Sequence, residues 1–435
     1  MTSLISFDTI PQTMPRGTPE GETRLIQGEE GGRGSILVDV VSPHTDEPLT
    51  EPTSSSRRNH IALVGMYGGM WKEYNPGCYM IGYKTHQELQ KRIPGAEIDI
   101  FSIDNKGEYE DIQTENLYGL PINYFSRRHQ MRVLNEVLPT YDALVIGGDI
   151  VWGGDDVAPD NDIFFLNSEQ FQGTRSPVVV FNAVHTFYTD ENIDSQREKL
   201  EKAVGRAAYT SVRTEAIRDR LQRIGIEGVQ FVPDPVLDLD PATFKGSLGD
   251  FPLPQSEKSV IGVSIREKLF GEIAGFLESV DLSKYAVLVF PYSRQYRQLE
   301  TVMKLKDQFG TQLNYAETYL NPFESFDFIG KLDTLVTDTY HGLIAAIIQD
   351  VPVVSLDVEE EATSRKEQLF RQLGMSTYGN IRLAYNDPQN TGTLVTELSS
   401  LIPAPLSASK EYLTKAQSSI RTHYDTIAQI ISRSH

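Results

Sequence analysis

The chain has 435 residues, 39% of them apolar, and its 40 basic and 60 acidic side chains give a formal charge of −20. That balance argues against non-specific binding to nucleic acid or an anionic membrane, though a local basic pocket can persist. The single cysteine, Cys78, rules out an internal disulfide and a cysteine-based zinc cluster. No run approaches about 18 uninterrupted apolar residues, so no membrane span is expected. The first residues carry no basic region followed by an apolar run, so a cytoplasmic, reducing location is expected.

Residues 1–58 are rich in Gly, Pro, Ser, Thr and Glu and are expected to be extended or disordered. A short edge strand at Ser35–Val41 is the exception. HIALVGMYG then reads as a strand ending at Gly65, followed by a glycine-bearing loop, a helix (YMIGYKTHQELQKR) and a strand (AEIDIFSI). YDALVIGGD, SPVVVFNAVH, AYTSVR and GVQFVPDPVL read as further strands, with REKLEKAVGRA and TEAIRDRLQRIG as helices. Apolar strands alternating with amphipathic helices predict a parallel sheet covered on both faces. The first domain is expected at 59–237, a Pro/Gly/Asp-rich linker at 238–257, and a second α/β domain at 258–435. In the latter SVIGVSI, YAVLVFPY, TQLNYAE, TLVTD and PVVSLD are strands. ESFDFIGKL, GLIAAIIQ, RKEQLFRQLG and a segment near 389–401 are helices. A last helix at about 409–432 carries Tyr412, Ala416, Ile420, Tyr424, Ile427 and Ile431 at helical spacing. That stripe needs burial, and packing back onto the first domain would supply it. The fold class predicted is α/β, with two Rossmann-like domains whose strand ends face a cleft.

Candidate site residues follow from that geometry. In the loop Gly65–Gly77, Gly65, Gly68, Gly69 and Gly77 permit close approach. Asn75 suits a hydroxyl or carboxylate, the amides after Gly77 suit an anion, and Trp71 and Tyr74 either stack on a sugar or seal the loop. Gly147 and Gly148 end a buried strand, placing Asp149 at its carboxyl end, where it can orient or deprotonate a hydroxyl; Trp152, Gly153, Gly154, Asp155 and Asp156 extend that loop. His185 follows a strand expected to be central and can accept a proton near neutral pH. Arg213, where strand meets helix, suits a carboxylate or phosphate. Asp234, between two prolines, caps a turn or faces the cleft. Arg266, Tyr292, Ser293 and Arg294 lie just past two strands of the second domain. Asp338 ends another strand, and His341 with Gly342 opens an apolar helix: His341 as a proton carrier, Gly342 leaving room for a ligand. Lys366 adds a further positive group. No metal or cofactor is called for.

NPG at 75–77, VIGGD at 145–149, SVR at 211–213, GIEGVQFVPDPVL at 225–237 and DTYHGL at 338–343 followed by VPVV occur together and in this order. In this ordered set the chain resembles the polysaccharide pyruvyl transferase family, over roughly residues 60–375. The resemblance implies two facing Rossmann-like domains, similar to two-domain (GT-B-like) glycosyltransferases. It implies transfer of a pyruvyl group from phosphoenolpyruvate to sugar hydroxyls as a ketal, with an anionic small-molecule donor and a carbohydrate acceptor. A lipid-linked acceptor would bring peripheral membrane contact. The pattern carries over to Asn75, Gly77, Gly147, Gly148, Arg213, His341 and Gly342. Cys78 stands where the family often has Asp, Asp149 where it has a third Gly, and Thr339 where it usually has Arg. Arg266, Arg294 and Lys366 are the candidates to replace that last charge. The same architecture also serves a nucleotide-sugar glycosyltransferase or a catalytically silent carbohydrate-binding protein.

Overall fold

The computed structural model describes residues 59–66, 75–104, 112–148, 150–153, 162–168, 171, 176–186, 188, 192–249, 251, 253–254, 257–294, 297–358, 365–374, 380–383, 392–393, 396 and 410–433. The expectations for residues 1–58, Gly68, Gly69, Trp71, Tyr74, Asp149, Gly154, Asp155, Asp156 and most of 389–401 lie outside them. Ser56–His435 clusters as one compact unit.

The first sheet contains β1 (His60–Gly65), β2 (Glu97–Asp104), β3 (Gln113–Leu117), β4 (Leu120–Ser126), β5 (Ala143–Gly147), β6 (Ile150–Trp152), β7 (Val178–Thr186), β8 (Tyr209–Val212) and β9 (Gln230–Phe231). Its order is β3-β4-β2-β1-β5-β7-β8-β9, with β6 against β7. Ile61–Val64 and Ala143–Ile146 are wholly buried, as continuous apolar runs in a doubly covered sheet require. The expectation of a purely parallel sheet fails at one edge, where β3 pairs antiparallel with β4. The turn Tyr118–Gly119 has φ of 47° and 93°, both left-handed, which matches the twist of a two-residue hairpin. The polar strand β3 is mostly exposed, so no apolar alternation marks it in the sequence.

The longer helices described with this sheet are α1 (Pro76–Arg92), α2 (Arg197–Arg206) and α3 (Glu215–Arg223). Asn75 caps α1, accepting from the Gly77 amide at 3.0 Å, and Pro76 occupies the first helical position, where no N–H is needed. The expected strand GVQFVPDPVL contracts to β9 because Pro233 and Pro235 have no ladder N–H. Pro235–Asp238 instead forms a 3₁₀ turn capped by Asp234.

The second sheet contains β10 (Ser259–Ser264), β11 (Tyr285–Val289), β12 (Asn314–Tyr315), β13 (Thr334–Thr337), β14 (Val353–Val358) and β15 (Asn380–Leu383), ordered β12-β11-β10-β13-β14-β15 and parallel throughout. Its helices are α4 (Phe270–Ser279), α5 (Gln298–Phe309), α6 (Pro322–Ile329), α7 (Tyr340–Ile348) and α8 (Arg365–Gln372). A reciprocal capping box between Asn321 and Glu324 starts α6. The long α9 (Lys410–Arg433) ends the described chain.

One apolar cluster joins Ile61, Leu63 and Val145 of the first sheet to Leu335 and Val353 of the second, through α1, α7 and α9. Phe244 and Leu248, between the sheets in sequence, are buried in it. In α9 the residues Ala416, Ile420, Tyr424, Ile427 and Ile431 are buried as their spacing predicts; Tyr412, expected in the same stripe, is 41% exposed over Gly374. A polar network also docks α9. His423 donates from Nε2 to Asn182 Oδ1 at 2.7 Å and accepts at Nδ1 from Tyr209 Oη at 3.0 Å. Tyr424 Oη meets Thr85 Oγ1 at 2.9 Å.

Candidate active site

Four segments converge at the strand ends: the residue after β8, the turn after β9, the entry to α7 and the start of α1. Asp234 is at the centre, with no exposed side-chain surface. Its Oδ1 accepts from the Val236 amide at 3.0 Å, and its Oδ2 accepts from an Arg213 Nη at 2.9 Å. Burial by itself raises a carboxyl. Here the Arg213 guanidinium, joined by His341 and the Val236 amide, outweighs burial and holds Asp234 down at about 2. Arg213, expected to meet a ligand anion, is thus committed to Asp234, and its side chain is 1% exposed.

His341 Nε2 lies 3.6 Å from Asp234 Oδ2, too far for a hydrogen bond but close enough for electrostatic orientation. The ring is 4% exposed, and Nε2 has no hydrogen-bond partner among the described residues. Beneath it lies Gly77. A Cβ on Gly77 would stand 1.9 Å from His341 Cγ, so only glycine lets α1 approach the ring. The NPG segment therefore caps α1, starts it and makes room for the histidine. Gly342 has a comparable role: its Cβ would meet Thr339 Oγ1 at 2.4 Å and Thr337 Oγ1 at 3.1 Å. The space expected there for a ligand is filled by the chain's own threonines. Thr339 Oγ1 shares a 2.9 Å hydrogen bond with Thr337 Oγ1.

His185 reaches the same region through a bulge in β7. Ala183 has a left-handed φ of 47°, its amide donates to Ser211 Oγ at 2.8 Å, and the β7–β8 register shifts between Phe181 and Val184. Burial, then the charges of Arg365, Arg213, Arg220 and His341, push the His185 imidazole well below its usual range. It is therefore neutral at pH 7. Gly147 packs against β7, its missing Cβ leaving space for Asn182 O, and Gly148 adopts φ 95°. Trp152, expected near ligand, is wholly buried against Phe181 and donates to Phe164 O at 3.4 Å, so it belongs to the core.

The second-sheet candidates divide. Arg266 donates from Nε to Asp338 Oδ2 at 2.6 Å and from its backbone to Oδ1 at 3.1 Å. Lys366 donates to Asp338 O at 3.0 Å and pairs with Asp357 at 2.5 Å. These two cations knit the ends of β10, β13 and β14. Arg294 is exposed and stacks over Tyr319 at 5.2 Å. None of the three is brought onto Asp234 or His341 by an observed contact. Two residues enter instead. Tyr292 is buried, which drives its hydroxyl far above the usual range, and Cys78 and Asp234 are the groups that add to this. Arg365 lies over the Tyr340 ring at 5.4 Å. Its sequence signal was only its place beside Lys366.

The family model for polysaccharide pyruvyl transferase matches residues 75–360, more than half of the chain. The chain belongs to the polysaccharide pyruvyl transferase family. The matched stretch takes in Asn75, Arg213, Asp234 and His341 and ends before Arg365. A search of curated proteins found no match. Among solved structures, a UDP-GlcNAc 2-epimerase from Methanocaldococcus jannaschii is 13% identical with a TM-score of 0.54, covering 85% of this chain and 99% of that one. The Neisseria meningitidis UDP-GlcNAc 2-epimerase bound to UDP-GlcNAc is 13% identical with a TM-score of 0.53, over 86% and 100%. An E. coli trehalose-6-phosphate protein bound with UDP-2-fluoro glucose is 12% identical with a TM-score of 0.54, over 86% and 99%. These likenesses establish the α/β, two-Rossmann (GT-B-like) fold. Family membership places the chain among carbohydrate-modifying transferases. No helix among the described residues is long and apolar enough to cross a membrane.

Proposed function

We propose that this protein transfers a pyruvyl group from phosphoenolpyruvate to two hydroxyls of a sugar in a polysaccharide or its precursor. The supporting observation is the Arg213–Asp234–His341 arrangement: a buried histidine 3.6 Å from an anionic carboxylate, with Nε2 lacking a hydrogen-bond partner. His341 gives a proton to the methylene carbon of the donor, making C2 electrophilic. A sugar hydroxyl adds to C2, and its proton returns to the imidazole. Phosphate leaves, a second hydroxyl closes the ketal, and that hydroxyl's proton departs with phosphate. Asp234 stabilises the imidazolium, and Arg213 keeps Asp234 ionised; both are positioning residues. His185, expected from sequence to accept a proton near neutral pH, is a weak base here, because burial and the surrounding cations disfavour its protonated form; its role is to hydrogen-bond and orient an acceptor hydroxyl.

A second reading, a nucleotide-sugar donor, is favoured by the likeness to structures holding UDP-GlcNAc and UDP-2-fluoro glucose. One assay separates the two. Phosphate release that requires both phosphoenolpyruvate and a sugar acceptor supports the first. UDP release from a nucleotide sugar, with no turnover of phosphoenolpyruvate, supports the second. On the first reading His341→Gln lowers turnover about 10²–10⁴-fold with donor affinity little changed. Near-normal turnover in that variant would remove His341 from the proton step.

A further inference from the structure

Among the described residues, His341 Nε2 and Tyr292 Oη are both buried without a hydrogen-bond partner. Both feel the charge of Asp234. The proton step assigned to His341 makes no use of the phenol. Tyr292 lies just past β11, where Leu288, Phe290 and Tyr292 alternate onto one face of the second sheet and enter the apolar cluster shared with the first. Tyr79 of α1 and Leu343 of α7 belong to the same cluster, so the ring is grouped with the helices that carry Gly77 and His341. Its backbone is pinned: one side-chain oxygen of the buried Gln298 accepts from the Tyr292 amide at 2.8 Å and from the Ser293 amide at 2.7 Å. The side chain is 2% exposed.

A buried hydroxyl without a partner has lost its bond to water and gained nothing in return, so it destabilises the fold. Phenylalanine would fill nearly the same volume without that cost. What tyrosine adds is a single O–H group. Asp234 accepts from Arg213 and the Val236 amide and makes no bond to the phenol. Burial, with Cys78 and Asp234 adding to it, keeps the phenol protonated, so it can give a hydrogen bond but cannot act as a base. A neutral O–H held in the interior suits an anionic oxygen, because hydrogen bonds to charged groups are the stronger ones.

We propose that Tyr292 is a substrate-binding residue, whose hydroxyl gives a hydrogen bond to a carboxylate or phosphate oxygen of the anionic donor at the Asp234–His341 site. The assignment rests on the anionic-donor reading above.

The test compares Tyr292→Phe with wild type and with Tyr315→Phe, a tyrosine of β12 whose hydroxyl bonds to Leu305 O within the fold. The full chains are titrated calorimetrically with phosphoenolpyruvate, pyruvate, inorganic phosphate and UDP, and their urea midpoints are measured without ligand. Phosphoenolpyruvate affinity is expected to fall about 10- to 100-fold in Tyr292→Phe and to stay unchanged in Tyr315→Phe. The unliganded Tyr292→Phe chain is expected to have a urea midpoint equal to or above that of wild type. A lower midpoint would show that the hydroxyl serves the fold, and the assignment falls. A parallel loss with pyruvate places the bond on the carboxylate, and one with inorganic phosphate places it on the phosphate; either supports the assignment. If phosphoenolpyruvate binds equally to wild type and Tyr292→Phe, the pyruvyl reading stands and the assignment falls. If UDP binds, more weakly in Tyr292→Phe, and phosphoenolpyruvate does not, the assignment stands and the pyruvyl reading falls. If none of these anions binds, the assignment falls.

Discussion

Asp234 has the most demanding position of any single residue in the site. It is a fully buried carboxylate beside a fully buried guanidinium, and each makes the other tolerable. Asp234→Asn removes the carboxylate that faces the buried Arg213 guanidinium, and a loss of about 3–5 kcal/mol in urea unfolding is expected. A loss under about 1 kcal/mol would mean that Arg213 finds another anion. Gly77 carries a different constraint, one of space. Gly77→Ala puts a methyl into the His341 ring. About 1–3 kcal/mol of overpacking strain is expected, together with a drop in turnover larger than the drop in melting temperature suggests. Unchanged turnover would show that the ring can shift without consequence. The sequence marked both residues, Gly77 as a glycine before a helix and Asp234 as a turn former between prolines. Their actual partners, His341 and Arg213, are far away along the chain, so local pattern had no means of naming them.

Among the elements, α9 joins distant parts of the chain. Its stripe enters the same apolar cluster that contains residues of both sheets. Ile420 is wholly buried, so Ile420→Ala should cost about 2–5 kcal/mol. Tyr412 shares the helical spacing but is exposed, and Tyr412→Ala should stay within about 0.5 kcal/mol. Chemical denaturation of the two variants gives the comparison; equal losses would contradict the observed docking of α9. Periodicity made this helix legible from sequence and correctly identified most of its buried face. It overreached by one turn at Tyr412, which lies over Gly374 with 41% of its surface exposed. Hairpin β3–β4 was illegible for the opposite reason: an exposed edge strand has little to bury and so no alternation to read.

For the whole molecule, buried imidazoles link stability to pH. Burial lowers His423 to about 3, and it lowers His185 well below the usual imidazole range. In the unfolded chain both would protonate near 6.5. The folded form refuses protons that the unfolded form binds, so this stability is complete above about pH 6.5 and is lost as pH falls towards 3. Each group contributes a slope of at most about 1.4 kcal/mol per pH unit. Asp234 acts lower, its contribution present above about 3.9 and lost as pH falls through about 2. Denaturant midpoints measured from pH 8 to 4 should therefore decline, and His423→Gln should flatten part of the decline. A midpoint constant from pH 7 to 5 would mean that these imidazoles protonate without opening the structure.

The sequence by itself determined the alternation of strands and helices and the ordered motifs that mark the family. Each of these depends on neighbours within a few residues or on short strings in a known order. Tertiary structure alone decided which charges are spent on structure and which meet at the site. Arg213, Arg266, Arg365 and Lys366 all follow or closely flank strand ends, and nothing local separates them. Folding places Asp234 within reach of Arg213, Asp338 within reach of Arg266 and Asp357 within reach of Lys366, and lays the ring of Tyr340 under Arg365. An arginine's role depends on its electrostatic surroundings, and those surroundings are built from residues distant in sequence.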